Sequence, residues 1–193
     1  MFEYIKGDLA DLTPTSAVID NNGIGYFLNI SLNTYSKLSG HNTAHLYLHQ
    51  VIRDDAHLLF GFIDDKERQI FRHLISVSGV GANTARVMLS SLTPPEIQTA
   101  ILSNNAKTLQ GVKGIGAKSA QRIIIELKDK LGKDSDISEI SLLQDNTSKD
   151  EALSALVMLG FAKNAVTKVI DKLYKQNPAS SVEELIKLAL KQL

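Results

Sequence analysis

The sequence predicts a multidomain α+β chain in which the strands come first and the helices follow. Three observations carry that expectation. Apolar residues alternate with a period of two over residues 1–63, then recur at helical spacing from residue 64 onward. A Gly-apolar-Gly turn that leads straight into a helix occurs twice, at 79–89 and at 114–124. A polar stretch at 132–148, without sustained periodicity, sets apart the last segment, 149–193.

Residues 1–63 read as five short strands. Ile24, Tyr26, Leu28 and Ile30 alternate, as do Leu46 with Leu48, and Leu58 with Phe60 and Phe62. Thr13-Pro14 and Asn21-Asn22-Gly23 are turn signals. Residues 31–38 fit one short helix between strands three and four. Five strands with one small helix suggest a barrel of the OB type, with another small β-barrel as the alternative.

Residues 64–131 read as helices. Asp64 or Asp65 can cap a helix that buries Ile70, Phe71, Leu74 and Ile75. Thr93-Pro94-Pro95-Glu96 supplies a cap, a proline in the first turn and a capping-box glutamate. The helix after Gly116 continues through Ile123, Ile124 and Leu127. Residues 132–148 are expected to be a flexible linker, with a brief amphipathic piece around Ile137 to Leu143 as the alternative. Residues 149–193 fit a three-helix unit. Leu153, Leu156, Val157 and Leu159 line its first helix, and Gly160 stops it. Val166, Val169, Ile170 and Leu173 line the second. Ser181-Val182-Glu183-Glu184 is a capping box for the third, with Leu185, Leu188 and Ala189 facing inward.

Composition narrows the function classes. There is no cysteine, which excludes disulfides, thiolate metal sites and thiol nucleophiles. The N-terminal segment MFEYIKGDLADL has acids and no long apolar run, so a cytoplasmic protein is expected, without a membrane span. Net charge is zero, against 21 basic and 21 acidic residues, which argues against coating nucleic acid by bulk charge. The charge is uneven, however: residues 1–63 carry a net of −3, residues 64–135 a net of +4 and residues 136–193 a net of −1. The basic excess coincides with the repeated Gly-x-Gly helices.

A helix N-terminus offers unpaired N–H groups and partial positive charge, and glycine lets an anion approach the backbone closely. One Gly-x-Gly turn is a weak signal. Two copies 35 positions apart, with matching alanines at the fourth and seventh places, form the helix-hairpin-helix pattern of DNA binding without sequence preference. The expected phosphate contacts are Gly79, Gly81, Asn83 and Arg86 in the first copy, and Gly114, Gly116, Lys118 and Arg122 in the second. An ordinary solvated helix face is the alternative for the three basic side chains. Such contacts hold backbone rather than read bases, and the absence of interleaved aromatics favours duplex over single strands.

Asp54 and Asp55 fall between two strands. From pattern alone a polar turn explains them better than a metal pair, because adjacent residues diverge and no other ligands accompany them. His45 and His49 share a strand face but lack a third ligand, so no metal and no catalytic residue is expected. No Walker loop occurs, so any ATP use falls to another protein.

On the stretches VIRDDAHLLFGF (51–62), SGVGANTA (78–85), VKGIGAKSAQR (112–122) and ALVMLGF (155–161), the chain resembles the RuvA family. These are the Holliday-junction-binding subunits of the bacterial RuvAB branch-migration machine. The resemblance covers the whole length in one order: OB-like barrel 1–63, tandem helix-hairpin-helix 64–131, linker 132–148, and a three-helix, ubiquitin-associated-like domain 149–193. It implies a homotetramer, single or as paired tetramers, that holds a four-way junction open in recombination and repair. It implies no cofactor, with ATP used by the partner RuvB, and it brings in the RuvC resolvase as a further candidate partner. Asp54 and Asp55 become an acidic pin at the junction centre, and Leu156, Leu159, Phe161 and Leu190 a RuvB-docking surface. Two departures stand out. The family often has Glu where this chain has Asp54, and some members have Lys where it has Asn83.

Two other classes compete. A helix-hairpin-helix glycosylase would need a lysine or aspartate catalyst in a base-holding pocket after the hairpin; Glu126 and Asp129 follow the second hairpin, but no aromatic pocket accompanies them. A generic barrel-and-bundle adaptor would bind DNA without junction preference.

Overall fold

A computed structural model describes residues 2–143, 148–177 and 180–193. Five strands, β1 (Tyr4–Thr13), β2 (Ser16–Asn21), β3 (Ile24–Asn29), β4 (Thr43–Arg53) and β5 (Ala56–Phe62), close a barrel in the order β1-β2-β3-β5-β4. The β3–β5 contact, Asn29 opposite Phe60, is parallel, and the other pairings are antiparallel. Helix α1 (Leu32–Leu38) sits between β3 and β4. This is the OB-like topology that the alternation predicts. Inward positions Ile19, Leu28, Ile30, Leu46 and Leu48 are buried, whereas Ile24 is exposed where β3 begins. The Asn22-Gly23 turn has positive φ at both residues, which suits a tight two-residue hairpin.

The barrel and the next helices share one core. Phe71 of α2 (Asp65–Ile75) lies against Phe60 and Phe62 of β5, with ring centroids 5.0 and 4.9 Å apart. Glu67 of α2 is fully buried and accepts hydrogen bonds from the hydroxyls of Ser31 and Thr34. Burial pushes its carboxyl up from the usual range, and the two hydroxyl donors oppose that shift. Arg68 donates to the carboxylates of Glu3 and Asp65 and lies 5.1 Å from the centroid of the Tyr47 ring. The change from strand to helix at residues 63–64 therefore falls inside one compact unit, Met1–Lys133.

Helices α3 (Ala82–Ser91), α4 (Pro94–Leu102), α5 (Ala106–Gln110) and α6 (Ala117–Leu143) follow. The predicted caps form. Asp64 accepts from the Glu67 N–H at 2.8 Å, and Glu96 accepts from the Thr93 N–H and hydroxyl at 2.8 and 2.7 Å. One expectation changes: α6 runs on to Leu143, so residues 132–143 of the expected linker are helical. The intrinsic helix propensity of residues such as Glu139, Leu142 and Leu143 agrees with a helical backbone there. Residues 144–147 of that linker lie outside the described residues, and Ser148 already opens α7.

The second unit, Asp134–Leu193, contains α7 (Ser148–Met158), α8 (Lys163–Gln176) and α9 (Val182–Ala189). Its core is Ala152, Leu156, Val166, Ile170, Leu173, Leu185 and Ala189. Gly160, at φ +99°, ends α7 as expected. Its N–H donates to Val157 and that of Phe161 to Leu156, the paired bonds of a Schellman cap. Two inward assignments are corrected. Leu159 lies past the last turn of α7 and is 63% exposed, and Leu188 is 42% exposed on the outer side of α9.

Candidate nucleic-acid interface

The two Gly-x-Gly turns fold into the same structure. Gly79 and Gly114 have φ of +89° and +93°, in the left-handed region that favours glycine. Val80 N–H donates to Val77 O at 3.0 Å, and Ile115 N–H to Val112 O at 3.1 Å. The first full helical bonds, Ala85 N–H to Gly81 O and Ala120 N–H to Gly116 O, are both 2.9 Å. Beneath each turn the same places are buried: Val77 and Val112, Val80 and Ile115, Ala85 and Ala120, Met88 and Ile123. The small alanines let each helix sit close on its partner.

Each turn therefore presents a helix N-terminus to solvent, at Gly81 and Gly116. Both glycines are exposed, and a Cβ on either would meet no atom within 4 Å. The fold leaves room for a Cβ at all four glycines, but only Gly79 and Gly114 have a backbone conformation that favours glycine.

The basic residues differ in what they do. Lys118 is exposed in the first turn of α6. Arg122, one turn further on, donates to the carbonyl of Ser78 at 3.2 Å and approaches Glu126 at 3.9 Å. It therefore links the second hairpin to the residue just before the first. Arg86 departs from expectation. Its Nη1 donates to the Thr15 carbonyl at 3.0 Å and to Asn29 Oδ1 at 3.2 Å, which ties it to the barrel. Asn83 is exposed on the first turn of α3. No signal in the sequence pointed to Thr15, Asn29 or Ser78, because backbone carbonyls and a strand-end asparagine look alike everywhere.

Asp54 and Asp55 form the two-residue tip between β4 and β5, beyond the last pair, Arg53 opposite Ala56, and both are exposed. In the second unit, Leu159 and Leu190 are exposed and Phe161 is half-buried. Of the two readings of Leu156, lining of the bundle and docking surface, the structure bears out the first: it is fully buried among α7, α8 and α9. Its place two turns into the apolar stripe of α7 fixes it inward. Glu126 lines a shallow depression with Ala117, Lys118, Gln121, Arg122 and Ile125, none of them aromatic, which gives a flipped base nothing to stack on. Among the described residues no group of three or more His, Asp or Glu is placed to hold a metal, and no helix is long and apolar enough to cross a membrane.

A closed five-stranded barrel that shares its core with two matched helix-hairpin-helix units defines a class of protein built to meet the nucleic-acid backbone. Family models match along the chain: the RuvA N terminal domain over residues 1–61, a SAM-like helix-hairpin-helix tandem over 71–129, and the RuvA C-terminal domain over 148–193. The chain is 50% identical over 193 residues to the Holliday junction branch migration complex subunit RuvA of Christiangramia forsetii, all of both chains being covered. It is 49% identical to the proteins of that name from Flavobacterium psychrophilum and Bacteroides thetaiotaomicron, again over the full length of each. The chain belongs to the RuvA family.

Proposed function

We propose that the protein is the Holliday-junction-binding subunit of a branch-migration complex, a DNA scaffold without catalytic residues of its own. The observation that carries this reading is the duplicated hairpin: two helix N-termini, alike in φ, hydrogen bonding and burial, on one shared core. Gly81 and Gly116 support it further, because neither internal crowding nor positive φ accounts for glycine there. A phosphate approaching the bare backbone does. Lys118 and Arg122 add charge at the second hairpin, while the first, with Asn83, relies on backbone N–H groups.

Four subunits assemble around the crossover and hold its arms by their phosphates, without regard to sequence. The Asp54–Asp55 tips meet at the centre, where their carboxylates repel phosphate and steer strands into separate arms. The third domain recruits a RuvB ATPase through Leu159, Phe161 and Leu190, and ATP is consumed there rather than on this chain. RuvC shares the assembled junction as a further partner, and the complex works in the cytoplasm. The domain limits are those of the sequence reading, 1–63, 64–131 and 149–193.

A gel shift comparing a four-way junction with linear duplex tests this reading. Tighter binding of the junction is expected, and replacing Asp54 and Asp55 with Asn should narrow the difference. Equal affinity for the two DNAs in the unaltered protein would leave a generic adaptor instead.

A further inference from the structure

We propose that Arg86 is a positioning residue that fixes the first hairpin helix on the barrel carrying the Asp54–Asp55 tip, and not a phosphate contact. The proposal deepens the junction-clamp reading and rests on it. Arg86 projects from α3, one turn after the Gly81 N-terminus, where a basic side chain would be expected to face DNA. Its Nη1 instead donates to two barrel acceptors, the Thr15 carbonyl between β1 and β2 and Asn29 Oδ1 at the end of β3. Asn29 is itself held: its Nδ2 donates to the Leu59 carbonyl of β5 at 3.1 Å. A second brace runs beside the first. The Leu32 N–H at the start of α1 donates to Ser90 Oγ at 3.1 Å, and that hydroxyl donates to the Arg86 carbonyl at 2.8 Å.

The connected path is therefore α3, Arg86, Asn29, Leu59. Leu59 lies on β5, the strand that begins just after Asp55 and forms one side of the acidic tip. A charged fork is suited to this task, because one planar guanidinium reaches an acceptor in the β1–β2 turn and another at the end of β3 in fixed geometry. The distance between a hairpin that holds an arm and a tip that stands at the crossover decides whether a junction fits better than plain duplex. Loosening the strut should cost that preference without removing any phosphate contact.

Salt dependence of binding separates the two roles, because its slope counts phosphates neutralised. Full-length protein, its Asn29→Ala and Arg86→Ala variants, and Lys118→Ala as reference are titrated with four-way junction and with duplex at several salt concentrations. The expected result for Asn29→Ala and Arg86→Ala is a junction-over-duplex preference lowered by about threefold to tenfold, the worth of one or two such hydrogen bonds, with the salt slope of the unaltered protein. Asn29→Ala leaves every charge in place, so a phosphate role for Arg86 predicts no change from it. A slope shallower by about 3.6 in Arg86→Ala, from four lost phosphate contacts per tetramer, overturns the proposal. Unchanged preference in Asn29→Ala does so as well. A slope near zero in the unaltered protein, or no loss of slope in Lys118→Ala, would instead overturn the clamp reading on which the proposal rests.

Discussion

Four glycines in the paired hairpins fall into two kinds, and their substitution should separate folding from binding. Alanine at Gly79 or Gly114 must adopt a φ near +90°, at a cost of about 1–2 kcal/mol, so thermal or denaturant unfolding should show the loss. Alanine at Gly81 or Gly116 finds open space, so stability should hold while junction affinity falls. A stable Gly116→Ala variant with full affinity would remove the bare-backbone contact from the account. The need for glycine was legible in the sequence because the motif repeats, but the division of labour between the two glycines was not, since it depends on the φ of each. The role of Arg86 was hidden for a similar reason. An arginine on a helix face looks the same whether it meets solvent, DNA or an asparagine 57 positions earlier. Glu67 was equally silent, since its partners Ser31 and Thr34 come from a different element.

At the scale of elements, period and capping signals located the barrel strands and most helix starts, and the ends were harder. The stripe of α7 continues in sequence to Leu159, but the helix stops at Met158, and the Schellman turn at Gly160 leaves Leu159 outside the core. Leu156 and Leu159 therefore make a sharp pair. Leu156→Ala should lower the stability of the second unit by about 2–4 kcal/mol, read by denaturant unfolding, because it opens a cavity among three helices. Leu159→Glu should leave that unfolding curve in place while abolishing RuvB-stimulated branch migration by the full-length protein. Normal migration with Leu159→Glu would move the docking surface elsewhere. The continuation of α6 to Leu143 agrees with the alternative of an amphipathic piece around Ile137 to Leu143, but its start at residue 132 left no pattern to count.

Across the whole molecule, a neutral net charge is compatible with tight DNA binding because the charge is segregated. The basic excess lies in the segment that carries both hairpins, and the acidic excess in the segment that carries the tip. Hairpins of this kind would hold any duplex. In the proposed complex, discrimination in favour of a four-way junction would come from assembling four copies around the acids at 54 and 55. In that complex, two hairpins on each of four subunits clamp phosphates. The clamp is tested most directly by the junction affinity of the full-length protein as a function of salt. With Lys118 and Arg122 each neutralising about one phosphate on each of four subunits, Z is about 8 and the plot of log affinity against log salt should fall with a slope of about −7. That corresponds to a loss on the order of 10⁴-fold between about 50 and about 200 mM salt. A slope near zero would contradict the account.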